Sequence, residues 1–215
     1  MTMRTTVPGV RAASDGRAGV FVAPSADVAD SARLGAGSRI WDLVQIGDDA
    51  ELGRNCVLGR GACVGPGVTV GDNVKIQNYA LVYAPATLGA GVFVGPAAVL
   101  TNDEYPRAVD VDGSAKTAAD WTPVGVTVEE GASLGARSVC VAPVRIGRWA
   151  MVGAGAVVVD DVPAFALVVG VPARRIGWVG RAGVRLEPDG DDVWRCPRTG
   201  ERFVQEEGLL HEFPS

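Results

Sequence analysis

A single histidine, His211, lies near the end of the 215-residue sequence. Chemistry that runs through a histidine base, or through several histidines on a metal, therefore has no centre in the body of the chain. The polar candidates lie elsewhere. Asn102, Asp103, Glu104 and Arg107 cluster in TNDEYPR (101–107). Carboxylates there can help remove a proton, and an arginine can pair with a phosphate or tie down its own loop. Arg174 and Arg175 form a basic pair in GVPARR (170–175), suited to phosphate or to plain surface charge. Asn78, in VKIQNYALVY (74–83), can orient a reactant or serve turn geometry. The cysteines, Cys56, Cys63, Cys140 and Cys196, include no C-x-x-C pair. They read as small core residues in a reducing compartment, the cytoplasm, and a lone Cys196 makes no zinc site.

What positions these residues is a repeat. Every sixth residue from Val22 to Leu100 is Leu, Ile or Val, including Ile46, Leu52, Leu58, Val64, Val70 and Ile76. The residue two before each, from Ala26 onward, is small or β-branched. A helix would repeat near 3.6 and a simple strand near 2. Residues two apart on a strand share a face, so each unit is a short strand with one small and one larger residue inward, followed by a two-residue corner. Gly53, Gly59, Gly65 and Gly71, each just after a large residue, suit a tight bend. Three such units close a triangular coil, and stacked coils form a parallel β-solenoid. A sandwich would need irregular turn spacing and larger core residues. Asn78, two residues after an inward Ile76, falls at a corner and faces outward.

The frame breaks after Leu100. Residues 101–121 are polar, contain Pro106 and carry no repeat. The pattern resumes at Val128, Leu134, Cys140, Ile146, Val152 and Val158, and Thr122 holds the frame one step earlier. Counted this way, position 76 lies under 94, 128 and 146, and position 82 under 100, 134 and 152. The insertion is expected as a functional loop extruded at one corner. Ala136 and Ala154 fall one coil apart, stacked at a corner. After Asp161 the hexad ends, and the following segment is expected to cover the open end of the coil. In the tail, residues 193–208 read as two short strands around Arg198, Thr199 and Gly200. The division is a flexible lead (1–19), a coil (20–161) with its loop (101–121), and a cap and tail (162–215).

Composition narrows the class. Net charge is −5, 47% of residues are apolar and 21% charged, with 29 glycines. That is a turn-rich β protein rather than a disordered or membrane-like chain. The acidic balance argues against nucleic acid or anionic membrane as partner. No apolar run reaches the ~18 residues of a membrane span, and the first twenty residues lack the apolar core of a signal peptide.

The hexad frame and VVGVPARRIG (168–177) resemble the hexapeptide-repeat acyltransferases over roughly residues 20–182. The resemblance implies an all-β, left-handed parallel β-helix, whereas general crossover rules would suggest the opposite hand. RIWDLVQIG (39–47), VKIQNYALVY (74–83), GPAAVLTNDEYPRA (95–108) and VGVPARRIGWV (169–179) look like the branch that N-acetylates nucleotide-linked 3-amino sugars. Thr101–Arg107 is the most specific of these stretches, and the tail stretch Cys196–Gly200 is similar to tails in this branch. The chain departs from the pattern at Asp42 and Gln45, where relatives often carry His, and Glu104 stands at a variable position.

The resemblance implies transfer of an acetyl group from acetyl-CoA to the amine of a nucleotide-diphosphate-linked 3-amino deoxy sugar, without metal. It sets Asn78 against the substrate amine. Asn102, Asp103 and Glu104 are candidates to bind sugar or aid deprotonation, Arg107 to pair with a nucleotide phosphate, and Asp42 to face the sugar through an adjacent chain. Arg174 and Arg175 suit the phosphates of coenzyme A, and small Ala136 and Ala154 would let pantetheine run close to the backbone. Trp41, Tyr83 and Trp121 can stack on a nucleobase or pack at an interface. A homotrimer with sites in the clefts between chains is implied, and outward Val57, Trp41 and Tyr79 are apolar for an isolated surface.

Acetyl transfer to an amine needs a neutral, aimed amine, a donor for the oxyanion and an exit for a proton. With no histidine in the repeat, orientation supplies the rate and the departing thiolate takes the proton. The rivals are O-acetylation of a sugar or small alcohol, which needs a base, a metal-dependent hydratase of the carbonic-anhydrase kind, which needs several His ligands, and a non-catalytic solenoid. The loop and GVPARR argue against the last.

Overall fold

A computed structural model describes residues 19–213. The expected N-terminal lead, apart from Gly19, lies outside the described residues. Strands of two or three residues stack into three parallel sheets, one per side of a triangle. The first sheet runs through Phe21–Val22, Arg39–Ile40, Val57–Leu58, Lys75–Ile76, Phe93–Val94, Ser133–Leu134 and Met151–Val152. The second holds Asp27–Val28, Gln45–Ile46, Cys63–Val64, Leu81–Val82, Val99–Leu100, Val139–Cys140 and Val157–Val158. The third holds Arg33–Leu34, Glu51–Leu52, Thr69–Val70, Thr87–Leu88, Val126–Val128 and Val144–Ile146. This is the all-β stacked coil that a left-handed parallel β-helix requires.

The hexad owes its regularity to burial. Ile40, Leu58, Ile76, Leu100 and Leu134 are wholly buried along the axis, and Ala50, Ala62, Ala80 and Ala98 are wholly buried beside the corners. Where the small position is polar, the hydroxyl is used. Ser38 Oγ donates to Gly53 O and accepts from Cys56 N, and Ser138 Oγ donates to Gly135 O.

The glycines after the large residue serve a different purpose from the expected one. Gly59 has no positive φ. A Cβ there would overlap the backbone N and Oδ1 of Asn78 in the next coil. Close approach of stacked corners excludes a side chain at this position. The left-handed backbone falls two residues later, at Gly61 (φ 66°), Asn55 (φ 58°) and even Tyr79 (φ 60°), an uncommon conformation for a bulky residue.

The register through the insertion also differs from the count. Val94 pairs with Leu134, Leu100 with Cys140, and Leu88 with Val128. The column from Ile76 is therefore Val94, Leu134 and Val152. Thr122 is exposed and lies outside any strand. It matches the frame by coincidence, and Pro123 beside it lacks the N–H a ladder needs. The extruded segment accordingly runs from Thr101 to Gly125, up to the strand Val126–Val128.

Past Asp161, Ala166–Val169 adds one more parallel strand on Met151–Val152, and Arg174–Trp178 folds back antiparallel on it. A four-stranded antiparallel sheet follows: Glu187–Pro188, Val193–Arg195, Arg202–Glu206 and Leu209–Glu212. The two strands expected around Arg198–Gly200 are the middle pair. Phe165, Trp178 and Phe203 are wholly or almost wholly buried, with the two phenyl rings 5.1 Å apart. Trp178 and Trp194 both donate their indole N–H to Gln205 Oε1, at 2.9 and 3.1 Å. Each large side chain buried there contributes roughly 2–3 kcal/mol.

Candidate functional site

The corner between the first and second sheets carries the candidate site. Its leading residues stack coil on coil as Asp42, Arg60, Asn78, Pro96, Ala136 and Ala154. Backbone bonds tie each pair: Gly61 N–H donates to Asp42 O (3.0 Å), Tyr79 N–H to Arg60 O (2.9 Å), Ala97 N–H to Asn78 O (2.9 Å), Arg137 N–H to Pro96 O (2.8 Å) and Gly155 N–H to Ala136 O (2.9 Å). The revised register has a consequence here. Counting through Thr122 would have put Ala136 on a different corner from Asn78. Strand pairing puts them on one line, about 10 Å apart at the spacing of stacked strands.

Asn78 is exposed at this corner, as its spacing from Ile76 predicts. Its side-chain oxygen lies against Gly59, which clears the space for it. Trp41, Asp42, Val57, Gly59, Arg60, Gln77 and Asn78 line a pocket of about 280 Å³. Asp42 and Asn78 therefore share a pocket within one chain. The Asp42 carboxylate accepts the Ser25 hydroxyl at 2.9 Å. Trp41 leans on Phe21, with ring centroids 5.3 Å apart. Gln45 points instead into a second groove, of about 230 Å³, with Asp27 and Cys63.

Arg60 and Gln77 were not singled out from the sequence. Arg60 lies one coil below Asn78, so an eighteen-residue offset from that residue was the available signal. Arg137, exposed beside Ala136 with φ 57°, was also missed.

The loop residues stand at another corner, between the second and third sheets. Asn102 Nδ2 donates to Ala84 O at 2.8 Å, and Asn102 O accepts from Val124 N–H at 3.1 Å. This residue thus closes the base of the loop. Thr101 Oγ1 accepts from Ala142 N–H at 2.9 Å. Asp103 accepts from Tyr105 N–H (3.0 Å), while Arg107 donates to the carbonyl of Pro106 (3.0 Å) and is exposed. Hydrogen bonding to Glu104 holds the Tyr105 phenol above its ordinary pKa. Farther on, Val109 bridges Ala115, and Thr117 and Asp120 form a reciprocal cap on the short 3-10 turn Ala118–Asp120. Hydrogen bonds from Thr117 keep the Asp120 carboxyl below its usual range. Tyr83 and Trp121 belong to this side of the molecule, apart from Trp41.

The GVPA turn closes the first corner from above. Val157 N–H donates to Gly170 O (3.0 Å), and Ala173 N–H donates to Val157 O (2.7 Å). Arg174 is exposed and reaches Asp160 at 3.5 Å. Arg175 is otherwise engaged. It donates to Gly208 O at 2.7 Å, and its guanidinium lies 4.1 Å from the Trp178 ring centroid. The structure thus separates two arginines that look alike in sequence. His211 sits in the last strand of the C-terminal sheet, opposite Val204.

Residues 67–102 match the bacterial transferase hexapeptide family (six repeats), and residues 43–84 and 125–159 match the hexapeptide repeat of succinyl-transferase. These stretches of the coil are thus similar to hexapeptide-repeat transferases. The chain is 43% identical over 86 residues to a dTDP-3-amino-3,6-dideoxy-alpha-D-galactopyranose 3-N-acetyltransferase of Aneurinibacillus thermoaerophilus, covering 40% of this chain and 43% of that protein. It is 36% identical over 100 residues to the serine acetyltransferase of Salmonella typhimurium, covering 46% and 36%. The chain thus spans less than half the length of these curated relatives. AntD, an N-acyltransferase from Bacillus cereus solved with dTDP and 3-hydroxybutyryl-CoA, shares the fold. The TM-score is 0.53 at 20% identity, over 76% of this chain and 81% of that one.

Proposed function

We propose that this protein is an acetyl-CoA-dependent N-acetyltransferase acting on a nucleotide-diphosphate-linked 3-amino deoxy sugar, in the cytoplasm. The observation that carries this reading is the alignment of one corner. Asn78 opens into a pocket, the small residues Ala136 and Ala154 continue the same column, and the GVPA turn stands above it. An acceptor amine at Asn78 and a thioester laid along the alanines would meet on one line. The likeness to a 3-N-acetyltransferase supports the acceptor class.

The Asn78 amide oxygen accepts a hydrogen from the amine and aims its lone pair. The amine nitrogen attacks the thioester carbonyl, the C–N bond forms and the C–S bond breaks. The nitrogen's proton passes to the departing thiolate, giving amide and free thiol. Orientation provides the acceleration. Arg174 serves the phosphates of coenzyme A. Asp103, Glu104 and Arg107 reach the acceptor from a neighbouring chain of a homotrimer.

A second reading, O-acetylation, is favoured by the serine acetyltransferase match. A hydroxyl needs a base to be nucleophilic, and the corner holds no histidine. Thiol release from acetyl-CoA with a panel of 3-amino and 4-amino nucleotide sugars, and with serine, decides between them. Turnover is expected with a 3-amino nucleotide sugar. Turnover with serine alone would overturn the proposal.

A further inference from the structure

Arg60 stands in the corner column between Asp42 and Asn78, one coil from each, on the wall of their shared pocket. Its situation differs from that of three other coil arginines. Arg33 pairs with Glu51, Arg54 with Asp72 and Arg145 with Glu129, each through an acid in the adjacent coil. Arg60 is in no salt bridge among the described residues. The acid one coil away is Asp42, but its carboxylate takes the Ser25 hydroxyl in the coil below. The other polar side chains on the pocket wall, Gln77 and Asn78, are neutral amides. The pocket is therefore lined by an arginine, whose planar fork matches phosphate and carboxylate, that is held by no carboxylate salt bridge among the described residues.

We propose that Arg60 binds an oxyanion carried by the acceptor itself and so selects acceptors with negative charge close to the amine. The inference rests on the reading of Asn78 as the amide that orients that amine. Adjacent coils are about 4.8 Å apart, so the guanidinium reaches across a single sugar ring from Asn78. On a pyranose, C1, which would bear a phosphate, and C5, which would bear a carboxylate, are each two ring bonds from the C3 that bears the amine. The shared chemistry is an oxyanion, and its source is the nucleotide diphosphate or an acidic sugar.

The test uses Arg60→Gln and Arg60→Lys in the full chain, with thermal melts to check folding. At saturating acetyl-CoA, R60Q is expected to raise the acceptor KM at least tenfold, leave the acetyl-CoA KM unchanged, and be partly rescued by R60K. Calorimetry identifies the source, using dTDP and UDP in one arm and a 3-amino hexuronic acid without nucleotide in the other. The arm that loses at least tenfold in affinity in R60Q contains the oxyanion. Unchanged acceptor KM and unchanged affinity in both arms would overturn the proposal. If the wild type acetylates no amino sugar, the function proposed above falls. The Arg60 proposal is then judged by dTDP, UDP and pyrophosphate binding alone. It stands if R60Q abolishes that binding and fails if the wild type binds none of them or R60Q binds equally.

Discussion

Asn78 and Asn102 stand at opposite ends of one face of the solenoid, the second sheet. Six residues of extended chain put those corners up to about 20 Å apart. Asn78 opens to a pocket, whereas Asn102 donates to Ala84 O and holds the loop base shut. Between them run the partly covered outward side chains of Leu81, Val99, Val139 and Val157. A second copy covering that apolar face would bring its own loop towards Asn78.

That arrangement predicts complementation between chains. Asn78→Ala and a chain with residues 104–118 replaced by a short Gly-Ser linker are each expected to be nearly inactive. The linker leaves Asn102 and its bonds to Ala84 and Val124 in place. Refolded together into verified mixed trimers, they are expected to regain activity in clefts that combine an intact Asn78 with an intact loop. Mixed trimers that stay inactive, or a wild type that is monomeric at working concentration, would refute the shared cleft.

Asn78→Ala by itself is expected to cut kcat by tens-fold or more with acceptor saturating, because it removes alignment rather than packing. The melting temperature is expected to stay close to wild type, since the side chain is exposed. Full turnover in the variant would remove Asn78 from the mechanism.

Activity is expected to rise with pH as the acceptor amine loses its proton, without a limb from a protein histidine. His211 lies in the C-terminal sheet, away from the corner column. His211→Ala should therefore keep both its rate and its pH profile. A folded but inactive H211A would contradict the proposed proton path.

The two arginines after the GVPA turn are expected to separate. Arg174→Ala should raise the acetyl-CoA KM with little change in kcat, as for a contact made equally in ground and transition states. Arg175→Ala should instead lower cap stability by about 1–2 kcal/mol, through loss of the Gly208 hydrogen bond and the stacking on Trp178. Denaturant melts and steady-state kinetics on both variants check this. An R174A acetyl-CoA KM equal to wild type would show the coenzyme phosphates lie elsewhere.

Burial pushes the Cys140 thiol up to about 12 from 9.0. The folded state thus binds the proton more tightly than the unfolded chain. The associated stability is complete below the unfolded value and is lost as pH rises from about 9 towards 12. Cys140→Ala should flatten that alkaline loss in unfolding curves, relative to its own stability at neutral pH. Iodoacetamide should spare Cys140 in the folded protein and label outward Cys63 first. Rapid labelling of Cys140 under native conditions would contradict its burial.

The sequence alone determined the coil. Leu, Ile and Val at every sixth place, with small partners two before, can all be buried together only if the chain turns every six residues. Asn78's outward corner and the loop after Leu100 follow from the same count. The purpose of Gly59 was not legible, because the clash it avoids is with Asn78, a coil away. The join across the insertion was not legible either. Thr122 satisfied the period, yet the strand that follows Leu100 in the coil is Val126–Val128, paired with Thr87–Leu88. Periodicity counts residues along the chain, and an extruded loop can add any number of them without adding a coil. Only the hydrogen bonds between neighbouring coils show which strand follows, and those bonds place Asn78, Ala136 and Ala154 on one corner.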